Sequence, residues 1–337
     1  MATTRRAAGA PTTRRAFVAL AAPGLALLRP APARAAWPER PIRVIVPFTA
    51  GGNTDVMARL VAEPMAARLG RPLVVENRPG GGGTIGAEAV ARAQPDGYTV
   101  LLGSGGTLTA NPVLQARLPY DAERDFRPVG LIGKVPLVLV AGPRLRQEDW
   151  PAVQAAARAQ PGGIAIASPG TGSVGHLALE LLMQATGARF THVPYRGGGA
   201  LVPDLIAGNV DAAILELTTA LPLHQDGKAR ILAVAATTRW PQLPGIPSFI
   251  EAGVLGFTAT SYGGMMLPAR TPDEVAGALQ TALAATLAEP AVQARLASLG
   301  AVAASGAEVT PAGFAEFLRE ELARARHAAE LAGLKPE

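Results

Sequence analysis

From position 42 to position 235 the chain repeats one unit: a short run of Val, Ile, Leu and Ala, a polar turn, then a helical pattern. Apolar runs at 42–48, 73–76, 98–102, 137–140, 164–167, 190–193, 212–215 and 231–235 read as strands. They lack strict alternation, as strands buried on both faces should. Between them lie amphipathic stretches such as 55–69, where Met57, Leu60, Val61, Met65 and Leu69 share a face and Pro64 is expected to kink the helix. A second helix is delimited by Ser173 as N-cap and Gly187 as left-handed stop. Strand-helix alternation predicts an α/β fold with parallel sheets covered by helices. Such sheets bind ligands at the carboxyl ends of their strands, so function is expected in the loops that follow them.

The length, 337 residues, exceeds what one hydrophobic core fills and suits two. With 49% hydrophobic and 17% charged residues the chain is globular, and with no cysteine it has no disulfide framework, thiolate metal site or catalytic thiol. The net charge of +5 is confined to the start. Residues 1–35 hold six arginines and no acid; beyond them 25 bases face 26 acids, which removes the case for nucleic acid.

Those first 35 residues read as an export signal: an Arg-rich start, an apolar run at 16–28, then Ala33-Arg34-Ala35 as an A-x-A cleavage site. Thirteen apolar residues rise about 20 Å as a helix, short of the ~30 Å hydrocarbon core. Arg14-Arg15 before Phe17 and Val18 fits a twin-arginine signal as well as a Sec signal. A periplasmic location follows, with cleavage near Ala35.

Five post-strand loops carry candidate chemistry. In 47–55, Gly51 and Gly52 free backbone N–H groups before a capped helix, making an anion cradle from Phe48, Thr49, Gly52, Asn53 and Asp55; the alternative is a tight turn with a helix cap. Residues 81–86 match G-x-G-x-x-G, but the position of the ribose-binding acid holds Gly103-Ser104-Gly105-Gly106, so a structural glycine turn is expected. That second glycine loop offers Ser104 and Thr107. The loop 168–173 offers Ser168, Gly170, Gly172 and Ser173 at a helix N-terminus, with His176 either donating to a ligand or supporting the loop. Finally Tyr195, Arg196 and Gly197 follow a strand, and the Arg196 guanidinium suits either a carboxylate or a surface ion pair.

No H-E-x-x-H spacing, carboxylate cluster or G-x-S-x-G elbow is present, so no metal, cofactor or catalytic residue is called. A triad assembled only in three dimensions keeps a secreted α/β hydrolase among the alternatives.

The loops fall within a wider pattern. Trp37-Pro38, Pro41-Ile42-Arg43, Glu76-Asn77-Arg78-Pro79-Gly80, Gln94-Pro95-Asp96-Gly97-Tyr98, Ser168-Pro169-Gly170, His192-Val193-Pro194-Tyr195-Arg196-Gly197, Ala207-Gly208-Asn209-Val210-Asp211 and Pro268-Ala269-Arg270-Thr271-Pro272 occur in order along the chain. The chain thereby resembles the Bug-type receptors, extracytoplasmic solute-binding proteins of tripartite tricarboxylate transporters. The resemblance implies a type II-like periplasmic-binding-protein fold of two lobes with a hinge crossed twice: residues 36–137 and 258–337 in lobe one, residues 138–257 in lobe two. It implies a monomeric, non-catalytic receptor that grips a small carboxylate between lobes and delivers it to membrane permease subunits. An orphan sensor for the same ligands is the other alternative. Two departures stand out. Where the family often has an aromatic-Asp pair, this chain has Ile214-Leu215-Glu216, which leaves the role of Glu216 open. Where it often has Ser-Trp-Tyr/Phe-Gly, this chain has Ser261-Tyr262-Gly263-Gly264, and the lost ring at Gly263 is expected to widen the pocket.

Overall fold

The computed structural model describes residues 9–10, 37–334 and 336. The export-signal reading therefore lies, but for residues 9 and 10, outside the described residues.

In chain order the elements are β1 (Ile42–Val46), α1 (Asn53–Leu69), β2 (Leu73–Asn77), α2 (Thr84–Ala91), β3 (Thr99–Ser104), α3 (Asn111–Leu114) and β4 (Phe126–Ala141). Then come α4 (Trp150–Ala159), β5 (Ala165–Ser168), α5 (Val174–Thr186), β6 (Thr191–Pro194), α6 (Gly198–Ala207), β7 (Ala212–Glu216), α7 (Leu217–Gln225) and β8 (Arg230–Val234). The chain ends with β9 (Thr260–Pro268), α8 (Asp273–Leu287), α9 (Pro290–Ser298), β10 (Val302–Ala303) and α10 (Pro311–Leu331).

The strands run β2-β1-β3-β9-β4-β7-β5-β6, with β8 and β10 also pairing β4. β1, β2 and β3 are mutually parallel, as are β5, β6 and β7. These are the two strand-helix halves that the alternation predicts. They are joined by strands that run the other way. β4 pairs antiparallel with β9 over residues 126–136 and with β7 and β8 over residues 137–141. One strand thus serves both halves, and β9 brings the chain back; the fold has two lobes and a hinge crossed twice. The sheet is consequently mixed, where the sequence pattern alone suggested parallel strands. β4 and β9 are largely buried on both faces, as parallel strands are, so direction leaves no mark on their residue types.

Each lobe has its own aromatic anchor. Trp150 is fully buried and meets Phe249 edge-on, 5.1 Å between ring centroids, in the lobe built on β5 and β7. Phe314 of α10 is fully buried beside Tyr262 in the other. α1 continues through Pro64 to Leu69 and buries Met57, Val61 and Met65 against the sheet.

Gly263 lies in β9, paired with Ser104 and Gly133, and a Cβ there would meet the Met57 sulfur at 2.6 Å. The expectation that its missing ring opens the ligand pocket is corrected: the residue faces the core under α1, and its small size makes room for a helix.

Candidate functional site

The loops that leave β1, β3, β5, β6 and β7 meet between the halves. Their cleft is lined by Phe48, Gly52, Asn53, Thr54, Ser104 and Gly106 from one lobe. Pro169, Ser173, Val174, Gly198 and Glu216 line it from the other, and the space left between the two is narrow, about 10 Å³. A larger open depression near Tyr120, Asp121 and Arg326 receives no strand-helix loop of this kind and is not the candidate.

The cleft owes its electrostatics to backbone. Gly52 caps α1, Ser173 caps α5, Gly197 caps α6 and Glu216 caps α7, so four helix N-termini border one space. Each brings unpaired N–H groups and about half a positive charge. Among the described residues no Lys or Arg lines the cleft, and Glu216 is the one carboxyl that does. An anion is favoured there by oriented dipoles rather than by an ion pair.

The lobes touch across it. Thr49 N donates to the Arg196 carbonyl at 3.3 Å, and Ala200 N donates to Thr49 Oγ1 at 3.1 Å. The Thr218 hydroxyl donates to Asn53 Oδ1 at 2.7 Å. A Cβ on Gly199 would lie 1.9 Å from the Ala50 carbonyl oxygen. On the glycine turn, Gly82 has φ +62° and would set a Cβ 2.1 Å from the Thr171 carbonyl oxygen. Backbone meets backbone at these points only because no side chain intervenes.

Of the residues expected at the site, Phe48, Gly52, Asn53, Ser104 and Ser173 line the cleft. The others lie behind it or beside it. Thr49 and Gly197 form the lobe-to-lobe contact, where a Cβ on Gly197 would meet Thr49 Oγ1 at 2.5 Å. Asp55 is buried and braces its loop, accepting from Gly51 N at 3.0 Å, Arg59 Nε at 2.9 Å and Asn77 Nδ2 at 2.9 Å. Burial works to raise its pKa, but the Arg59 bond and the other two donors outweigh it and hold the carboxyl below its usual value. Thr107 is fully buried and closes the Ser104 turn, accepting from Ser104 N at 3.0 Å.

Ser168 and Gly170 are tied together by Gly170 N to Ser168 Oγ, 3.2 Å, and Ser168 Oγ sits 2.7 Å from His192 Nε2. His176 Nδ1 accepts from Gly172 N at 3.2 Å, and its ring stacks on His192 at 4.4 Å between centroids. His176 thus supports the loop, one of its two expected roles. Burial, and then the neighbouring His176, lower the His192 pKa to about 4. Tyr195 donates to Asp204 at 2.7 Å, and the Arg196 side chain is exposed and lies off the cleft.

Several cleft residues were not among the expected site residues: Thr54, Val174, Gly198 and above all Glu216, whose role the sequence left open. The rule of strand carboxyl ends identifies Glu216, since it is the last residue of β7 and the cap of α7. Its carboxyl pKa is raised by burial, against a smaller opposing effect from its own backbone N–H and the Ser261 hydroxyl. Asn53 Nδ2 and Thr219 Oγ1 are buried without a hydrogen-bond partner. Among the described residues no group of His, Asp and Glu is placed to hold a metal ion.

Comparison with known proteins bears on the family and the fold. Residues 57–334 match the tripartite tricarboxylate transporter family receptor. The chain is 37% identical to Protein BugT of Bordetella pertussis over 289 residues, 86% of this chain and 88% of that protein. It superposes with a TM-score of 0.86 on an adipate-bound R. palustris protein, Rpa4515, at 35% identity, covering 90% of this chain and 100% of that one. Malate-bound MatC from Rhodopseudomonas palustris gives a TM-score of 0.84 at 33% identity, covering 87% of this chain and 99% of that one. These are solute-binding receptors rather than enzymes, and this chain belongs to the tripartite tricarboxylate transporter receptor family.

Proposed function

We propose that the protein is an exported periplasmic receptor that captures a small carboxylate and presents it to the permease subunits of a tripartite tricarboxylate-type transporter. The observation that carries this reading is the cleft itself, bordered by four helix N-termini and by no Lys or Arg among the described residues. Adipate and malate in two similar proteins support the ligand class. In this reading the receptor works as a monomer whose lobes, 36–137 with 258–337 and 138–257, open about the crossings near Leu137 and Phe257. Phe48, Gly52, Asn53, Ser104 and Ser173 hold the ligand, and Thr49, Arg196 and Gly197 latch the lobes. The leader is removed near Ala35.

A thermal-shift panel tests it. A ligand that binds only the folded receptor stabilises it by about 2.7 kcal/mol at 100-fold excess over its Kd. Adipate or malate, or another small carboxylate, raises the melting temperature, and the matching diamide or diester does not. A shift with sugars or metal ions, and none with carboxylates, sinks the proposal.

A further inference from the structure

We propose that Glu216 makes carboxylate capture proton-coupled: its carboxylic acid O–H donates a hydrogen bond to a carboxylate oxygen of the bound ligand. This rests on the carboxylate reading above and names the proton as a second determinant of binding at that site.

The lining of the cleft leads there. Glu216 lines the cleft, as do the N-termini of α1 and α5. No Lys or Arg among the described residues lines that space to neutralise a second negative charge. Two carboxylates facing one another in such a space cannot both stay ionised, and the less solvated one takes the proton. Burial already biases Glu216 toward its neutral form before any ligand arrives. The Ser261 hydroxyl and the Glu216 backbone N–H oppose this bias, with a smaller effect than burial. Asn53 Nδ2, buried in the same lining and without a protein partner, is a further donor for the same anion.

The charged groups on the surrounding elements are engaged elsewhere. Asp55 and Arg59 on α1 pair with one another, and Lys134 on β4 pairs with Glu308. His176 on α5 lies by Glu180, and Asp204 on α6 accepts from Tyr195. Tyr262 on β9 is buried, with burial pushing its pKa further up, and His224 near the end of α7 accepts from Ile231 N. None of them lines the cleft. Glu216 is therefore the group whose protonation the ligand reads.

When the empty receptor is ionised at Glu216, binding takes one proton from solvent, so affinity falls as pH rises. The test is calorimetric titration of the purified receptor with adipate and with malate between roughly pH 6.5 and pH 9, where both ligands are dianions. Kd is expected to rise with pH, by up to about tenfold per pH unit above the Glu216 pKa. Binding heats should differ between buffers of low and high ionisation enthalpy, reporting proton uptake on the unmodified protein. Glu216→Gln keeps an N–H donor, so it should bind with flat pH dependence and no buffer effect.

A pH-independent Kd with no proton uptake overturns the proposal and leaves carboxylate capture standing. So does a variant that keeps the full pH slope. Amino acids binding more tightly as pH rises toward the middle of the range would make Glu216 an ionised partner for an ammonium group, and this also overturns it. Failure of every carboxylate at every pH removes the receptor reading itself.

Discussion

The Thr218 hydroxyl donates to Asn53 Oδ1 at 2.7 Å, and both side chains are buried. Asn53 opens α1 and Thr218 lies in the first turn of α7, so the bond joins helix N-termini of opposite lobes. It spans the two halves, and it fixes the Asn53 amide beside the cleft. Thr218→Val removes the donor and leaves the Asn53 oxygen buried and unpaired, a cost of about 1–3 kcal/mol. Affinity for the ligand should fall about tenfold or more, read by calorimetry, and the melting temperature of the open, empty receptor should change little.

Closure should also depend on size at one position. Gly199 is the second residue of α6, where alanine fits the helix, yet its Cβ would lie 1.9 Å from the Ala50 carbonyl oxygen. Gly199→Ala should therefore disfavour the closed form by about 3 kcal/mol without strain in the separate lobes. Small-angle scattering should show no compaction on adding adipate, and binding should weaken about a hundredfold. Compaction equal to that of the unmodified protein would mean the two loops separate by some other route.

Gly263→Tyr provides a contrasting case. The new side chain runs into fully buried Met57 rather than into the cleft. The expected result is a stability loss of about 1–3 kcal/mol in denaturant unfolding. Short and long carboxylates should be affected alike. A selective gain for short ones would return the residue to the pocket wall.

Acid should destabilise the receptor in two stages. The His192 pKa is lowered from its usual 6.5 to about 4, so between those values the unfolded chain binds a proton that the folded one does not. Stability from neutral His192 is thus complete above 6.5 and declines as pH falls toward 4. Asp55, held below its usual 3.8, adds a second decline when pH falls further, through its folded value. His192→Gln should flatten the first decline in a series of melting curves and leave the second. An unchanged first decline would assign it to another group.

The sequence reading located the loops more reliably than the side chains within them. Glycine pairs, caps and strand ends are local properties, which is why the regions around 48–55, 104–107 and 168–173 were all legible. Which member of a loop faces the cleft is not local. Asp55 and Ser173 are both polar residues at the start of a helix, yet Asp55 turns back to Gly51, Arg59 and Asn77 while Ser173 borders the cleft. Arg196 has the right chemistry for a carboxylate, but its backbone carbonyl, rather than its guanidinium, meets the other lobe.

By itself the sequence determined the two strand-helix halves, the helix limits at Ser173 and Gly187, and the family, because each rests on residue periodicity, cap chemistry or motif order along the chain. Only the tertiary structure decided that β4 runs antiparallel through both halves with β9 beside it in the first, that Gly263 sits under Met57, and that Glu216 shares a cleft with Asn53. Pairing direction and side-chain neighbours arise from contacts between residues some 160 positions apart in the Asn53–Glu216 case, and no local pattern of residue types encodes such contacts.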